Sequence, residues 1–86
     1  MKWNFPLINP RKKFPLIHYL NHVYEELDEY RGEPRGSLKQ AKEVIDVLHA
    51  AETLVRKFFE ENSQFDLEAM RQSTIRKNDA RGYYKD

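Results

Sequence analysis

Two short acidic runs decide what this chain can fold into. Glu25-Glu26-Leu27-Asp28-Glu29 and Glu43-Val44-Ile45-Asp46 are separated by thirteen residues, and both lie where apolar residues recur at helical spacing. Carboxylates three positions apart share one face of a helix. The first run reads E-E-x-x-E and the second E-x-x-D, so two helices each carry paired acids. Acids brought together from both helices repel one another unless a cation sits between them. Oxygen-only ligands of this kind suit Mg²⁺, and a Mg²⁺ site with open positions commonly holds phosphate.

The apolar pattern predicts an all-α chain of three main helices. The first starts near Pro15, because proline is tolerated in a first turn. Its stripe is Leu16, Tyr19, Leu20, Val23, Leu27 and Tyr30, and two glycines and a proline within Arg31–Gly36 end it. Ser37 is a good N-cap for a second helix that reaches about Glu61. Its expected core face is Ala41, Val44, Leu48, Ala51, Val55 and Phe58. Asn62-Ser63-Gln64 forms the next turn, and Ser63 or Asp66 caps a third helix with a weaker stripe of Leu67, Met70, Thr74 and Ile75. Gly82 reads as its stop. Residues 1–13 contain Pro6 and Pro10 and read as an extended basic arm whose Trp3, Phe5, Leu7 and Ile8 pack on something. The whole, residues 1–86, reads as one helical domain. Three helices with broad stripes cannot cover one another at this size, so an antiparallel bundle completed by dimerisation is expected.

Advancing about 100° per residue places each acid. On the first helix Glu26 and Glu29 lie nearest the apolar stripe, with His22 beside them and Glu25 further out. Asp28 falls on the opposite side, toward solvent. On the second helix Glu43 and Asp46 occupy one flank together with Lys39 and Ala50, the small alanine allowing close approach of a neighbour. If the two flanks face each other, Glu26, Glu29, Glu43 and Asp46 converge. The bland alternative is a solvated acidic face, favoured by the Arg and Lys neighbours. Against it stands the position of the acids at the edge of the stripe on both helices, where clustered carboxylates without a cation are costly.

Composition removes several classes. Cysteine is absent, which excludes disulfides and thiolate metal sites. The net charge of +1 argues against general nucleic-acid binding, although residues 1–13 hold four basic side chains and no acid. No apolar run is long enough for a signal peptide or membrane span, so a cytoplasmic location and no membrane partner are expected. His22 reads as a hydrogen-bond partner of a carboxylate, and His18 and His49 as surface or interface residues. Trp3, Phe5, Tyr83 and Tyr84 suit either base stacking or interface packing. His22-x-x-Glu25 and Asp46-x-x-His49 invite a di-iron reading, but one pair runs backwards and His49 points about 60° away from Asp46.

The spacing Glu25-Glu26-x-x-Glu29, thirteen residues, Glu43-x-x-Asp46 resembles the signature of the MazG-like all-α nucleoside triphosphate pyrophosphohydrolases. The stretch Lys77-Asn78-Asp79-Ala80-Arg81-Gly82-Tyr83 is similar to the K-N-x-x-R-G-Y ending of short, phage-type members. The likeness covers about residues 16 to 84, with a fourth helix reduced or lost. It implies cleavage between the α- and β-phosphates of a nucleoside triphosphate, giving a monophosphate and pyrophosphate. It further implies Mg²⁺, with Mn²⁺ as a substitute, on Glu26, Glu29, Glu43 and Asp46, and Glu25 beside them or positioning water. Lys39, Lys77, Asn78 and Arg81 would meet the substrate. Glu25, Glu26 and Glu29 all remain candidates for accepting the water proton. Rival readings are a non-enzymatic helical interaction module and a remnant that binds nucleotide without turnover.

Overall fold

The structure, a computed structural model, describes residues 2–8 and 13–85. Arg11 and Lys12 of the expected basic arm, with Pro10, lie outside the described residues. Three helices follow in order: α1 (Leu16–Gly32), α2 (Leu38–Glu61) and α3 (Leu67–Ala80). No strand occurs among the described residues, and no helix is long and apolar enough to cross a membrane.

Local chemistry sets the boundaries. Pro15 precedes α1 with φ −61° and offers no side-chain cap, but its carbonyl accepts from His18 N at 2.9 Å. After α1 the chain turns through Gly36, whose φ of +72° lies in the left-handed region that favours glycine. Ser37 Oγ accepts from Gln40 N at 3.1 Å, and Gln40 Oε1 accepts from Gly36 N at 2.7 Å. This reciprocal clasp fixes the first turn of α2. Asp66, rather than Ser63, caps α3, its Oδ1 accepting from Glu68 N and Ala69 N. At the far end Gly82 adopts φ +80°, with Gly82 N bonded to Asp79 O and Tyr83 N to Asn78 O. That paired pattern ends α3 where the glycine foretells it.

Packing departs from the expected core. α1 and α2 pack extensively on each other, whereas α3 makes only marginal contact. On α2 the less exposed positions include Glu43, Val47, Ala50, Leu54 and Lys57, spaced by four and three, and Ala51 and Val55 of the expected core face are half-buried. Ala50 is 3% exposed, in keeping with close helix approach, and Tyr19 of α1 is 4% exposed. By contrast Val44, Leu48 and Phe58, expected in the core, are 47%, 44% and 39% exposed. The face turned to α1 is therefore the acid-bearing flank, and the Val44, Leu48 and Phe58 positions of the apolar stripe stay open. The surface of 6974 Å² compares with roughly 5,400 Å² for a compact chain of this mass. Likewise the radius of gyration is 15.3 Å, against about 12 Å for 86 compact residues.

Residues 2–8 do pack, as a strap across α2. Glu52, 8% exposed, accepts from Asn4 N at 2.7 Å, Asn4 Nδ2 at 3.0 Å and Phe5 N at 2.9 Å. Arg56 donates to Phe5 O and stacks 4.5 Å above the Trp3 ring. Burial pushes the Glu52 carboxyl upward, but the hydrogen bonds from Phe5 and Asn4 and the charge of Arg56 outweigh it, leaving the group below its ordinary value. A carboxylate lowered in the folded state stabilises above its ordinary range and loses that contribution as pH falls. Glu52→Ala is expected to free the strap at neutral pH. Hydrogen exchange will then show the Asn4 and Phe5 amides exchanging like open chain, and acidification will do the same to the wild type.

Candidate metal centre

α1 supplies two of the acids and α2 the third. Glu26 and Glu29, one turn apart on α1, meet Glu43 in the second turn of α2. One carboxylate oxygen from each lies within 4.8 Å of the others. The short connection between α1 and α2 makes this meeting possible, because it turns α2 back along α1.

The electrostatics follow from the crowding. Burial, then the charge of Glu29 and a hydrogen bond to it, then the charges of Asp46 and Glu26, push the Glu43 carboxyl up to about 7. At neutral pH Glu43 is thus poised between holding and losing a proton. Its Oε2 is buried without a hydrogen-bond partner, and so is Glu26 Oε2. The other Glu26 oxygen lies 3.1 Å from His22 Nε2, the carboxylate contact expected of that histidine. Buried oxygens without donors are costly unless something positive faces them. The three carboxylates, Glu26 and Glu43 half-buried and Glu29 exposed, offer oxygen alone, the ligand type of a hard divalent cation.

The remaining expected site residues are distributed otherwise. Asp46 is exposed and stands outside the three-carboxylate group, though near enough for its charge to act on Glu43. Glu25 is exposed and also outside it. Asp28 faces solvent in an ion pair with Arg31. Lys39, Lys77 and Arg81 are exposed and Asn78 half-buried. Among the described residues no hydrogen bond or ion pair joins these four to the carboxylates. Lys77, Asn78 and Arg81 ride on the end of α3, which scarcely touches the other helices.

Beside the acids lies a feature that periodicity does not announce. A cavity of about 230 Å³ opens between α1, α2 and the strap. His18, Tyr19 and His22 line it from α1, and His49, Ala50 and Thr53 from α2, with Ile8 and Phe14 closing the side. Phe5 stacks on His49 at 4.6 Å between centroids, and Phe14 stacks on His18 at 4.2 Å. His49 is half-buried rather than a surface residue. Its sequence signal is faint: three histidines, at positions that only the helix pairing brings to one place.

Compared with family models, curated proteins and solved structures, the chain finds no match in any of the three. The functional reading accordingly rests on the residues themselves.

Proposed function

We propose that the protein is a divalent-metal-dependent nucleoside triphosphate pyrophosphohydrolase of the MazG-like kind, working as an antiparallel bundle completed by a second copy. One observation carries the reading: Glu26, Glu29 and Glu43 converge from two helices with two buried oxygens that nothing satisfies. Glu26, Glu29 and Glu43 would hold Mg²⁺, or Mn²⁺ in its place, and Asp46 would join from the next turn of α2. When bound, the ion supplies charge neutralisation at the phosphates and acidifies water. The chain's own part is to fix the acids on rigid helices, with His22 orienting Glu26 and one of Glu25, Glu26 or Glu29 taking a proton from water. Phosphoryl chemistry asks little else of a protein beyond charge and alignment. The open Val44–Leu48–Phe58 face supports association, and a second copy is the proposed source of the remaining wall. Lys39, Lys77, Asn78 and Arg81 are proposed to meet the phosphates there, since α3 makes only marginal contact with the other helices.

The test is pyrophosphate release from each ribo- and deoxynucleoside triphosphate, with and without Mg²⁺. Product is expected only with the metal, and Glu29→Gln should lower the rate roughly a hundredfold or more with helix content unchanged. Unchanged turnover in Glu29→Gln would remove the site. The rival reading, a remnant that binds nucleotide without turnover, is favoured by the marginal contact of α3, which carries Lys77, with the helices that hold the acids. It would be marked by metal-dependent nucleotide binding with no product.

A further inference from the structure

Between α2 and α3 runs an unfilled apolar groove of about 450 Å³. Val55 and Phe59 line it from α2, and Leu67, Met70 and Ile75 from α3. α3 has 14 residues and makes only marginal contact with the other helices. An isolated helix of that length is marginal in water, where about 12–15 residues is the lower limit, so its stability must come from packing an apolar face. Here the apolar face of α3 meets a gap, and Met70 is left exposed.

The groove is continuous with the open face of α2. At about 100° per residue, Val44, Leu48, Val55 and Phe59 fall within roughly 60° of one another, on one line along the helix. α3 flanks the second half of that line, whereas Val44 and Leu48 in the first half are exposed. One half is thus a ridge and the other a groove. Ala51, between them, is small enough to let a second helix cross closely.

We propose that this groove seats the ridge of a second copy: two α2 helices cross antiparallel near Ala51, with Val44 and Leu48 of each lying between α2 and α3 of the other. The seat rests on the second copy invoked for the bundle and adds which surfaces meet. A two-fold axis across α2 turns each ridge toward the other copy's groove, so both grooves fill at once. A parallel pairing would set groove against groove and bring both carboxylate clusters to one end, where like charges repel. Area points the same way. The excess over a compact chain, on the order of 1,500 Å², exceeds the ~800 Å² that each partner gives to a standard interface. A contact that takes in α3 as well as the α2 line accounts for the difference.

The chain has no cysteine, so introduced ones report the pairing without interference. Val44→Cys and Met70→Cys, both at exposed positions, are made in separate full-length chains. The two are unfolded and refolded together, then treated with a short thiol cross-linker in the absence of metal and nucleotide. Mass spectrometry is expected to find Val44→Cys linked to Met70→Cys in the mixture. Neither variant alone should link to itself, because helices crossed near Ala51 hold the two Val44 positions roughly 20 Å apart at 1.5 Å per residue. Met70→Asp should weaken association at least tenfold in sedimentation equilibrium, with helix content as its fold control. Self-linking of Val44→Cys, no mixed link in a dimer, or wild-type association of Met70→Asp overturns the seat and leaves the dimer standing. A monomeric wild type overturns both. Neither readout uses nucleotide, so absence of pyrophosphate release would sink the catalytic reading without touching this one.

Discussion

At pH 8, saturating Mg²⁺ is expected to raise the melting temperature by roughly 10 to 20 °C, and the gain should shrink as pH falls toward 5. The size comes from linkage: a ligand at a hundred times its dissociation constant stabilises the native state by about 2.7 kcal/mol. In a chain this small, each kcal/mol moves the midpoint by roughly 4–8 °C. The pH dependence follows from Glu43, whose folded-state value of about 7 stands above its ordinary 4.5. Between those values the unloaded native state keeps a proton that the unfolded chain has lost. Stability of the metal-free protein therefore falls as pH rises through that window, and below it the penalty is absent. A divalent ion replaces the proton, so the loaded protein should not show that decline. Glu43→Gln should flatten the metal-free profile and forfeit most of the Mg²⁺ gain. Differential scanning calorimetry from pH 5 to 8, with NaCl at matched ionic strength as the screening control, decides the matter. Equal midpoints with and without Mg²⁺ at pH 8 would rule out a metal on these carboxylates.

What could be read from the chain alone was what local chemistry controls. Ser37, Asp66 and Gly82 mark helix ends because caps and the left-handed stop involve neighbours a few positions away. The convergence of Glu26, Glu29 and Glu43 was legible for a related reason. Each acid lies on a definite flank of its helix, and one short turn fixes how the helices meet. Asp46 lies about 60° further around α2 than Glu43, enough to carry it out of the contact and into solvent. The strap was legible only as an intention to pack: its partner Glu52 is 47 and 48 residues away in sequence, and no periodicity links them. Lys77 and Arg81 share a face at the end of α3, but where that face points depends on tertiary contacts, of which α3 makes few. The broad Val44 stripe looks like core because it is the most apolar line on α2. The chain buries the adjacent flank instead, since Ala50 permits close approach there and a bulky stripe does not.

That open stripe supports the second large effect. If the proposed dimer forms, Leu48→Asp should leave a chain that is monomeric and largely melted at micromolar concentration. For an isolated protomer, a substitution at a position 44% exposed would change stability by no more than about 0.5 kcal/mol. The surface arithmetic argues otherwise: the excess over a compact chain is on the order of 1,500 Å², and a standard interface takes about 800 Å² from each partner. Val44, Leu48 and Phe58 lie on one line of α2, so a two-fold pairing sets this face against its own copy, with Leu48 in the middle of the apolar contact. Two aspartates at the centre of that contact would be buried like charges, among the most damaging changes an interface can receive. Because dimer and fold would be linked, the wild-type midpoint should also rise with protein concentration. Sedimentation equilibrium on wild type and Leu48→Asp, with melting followed at several concentrations, tests both statements. A monomeric wild type whose midpoint ignores concentration, matched by an unperturbed Leu48→Asp, would mean that α2 carries its apolar stripe in water and that the nucleotide site must be complete within one chain.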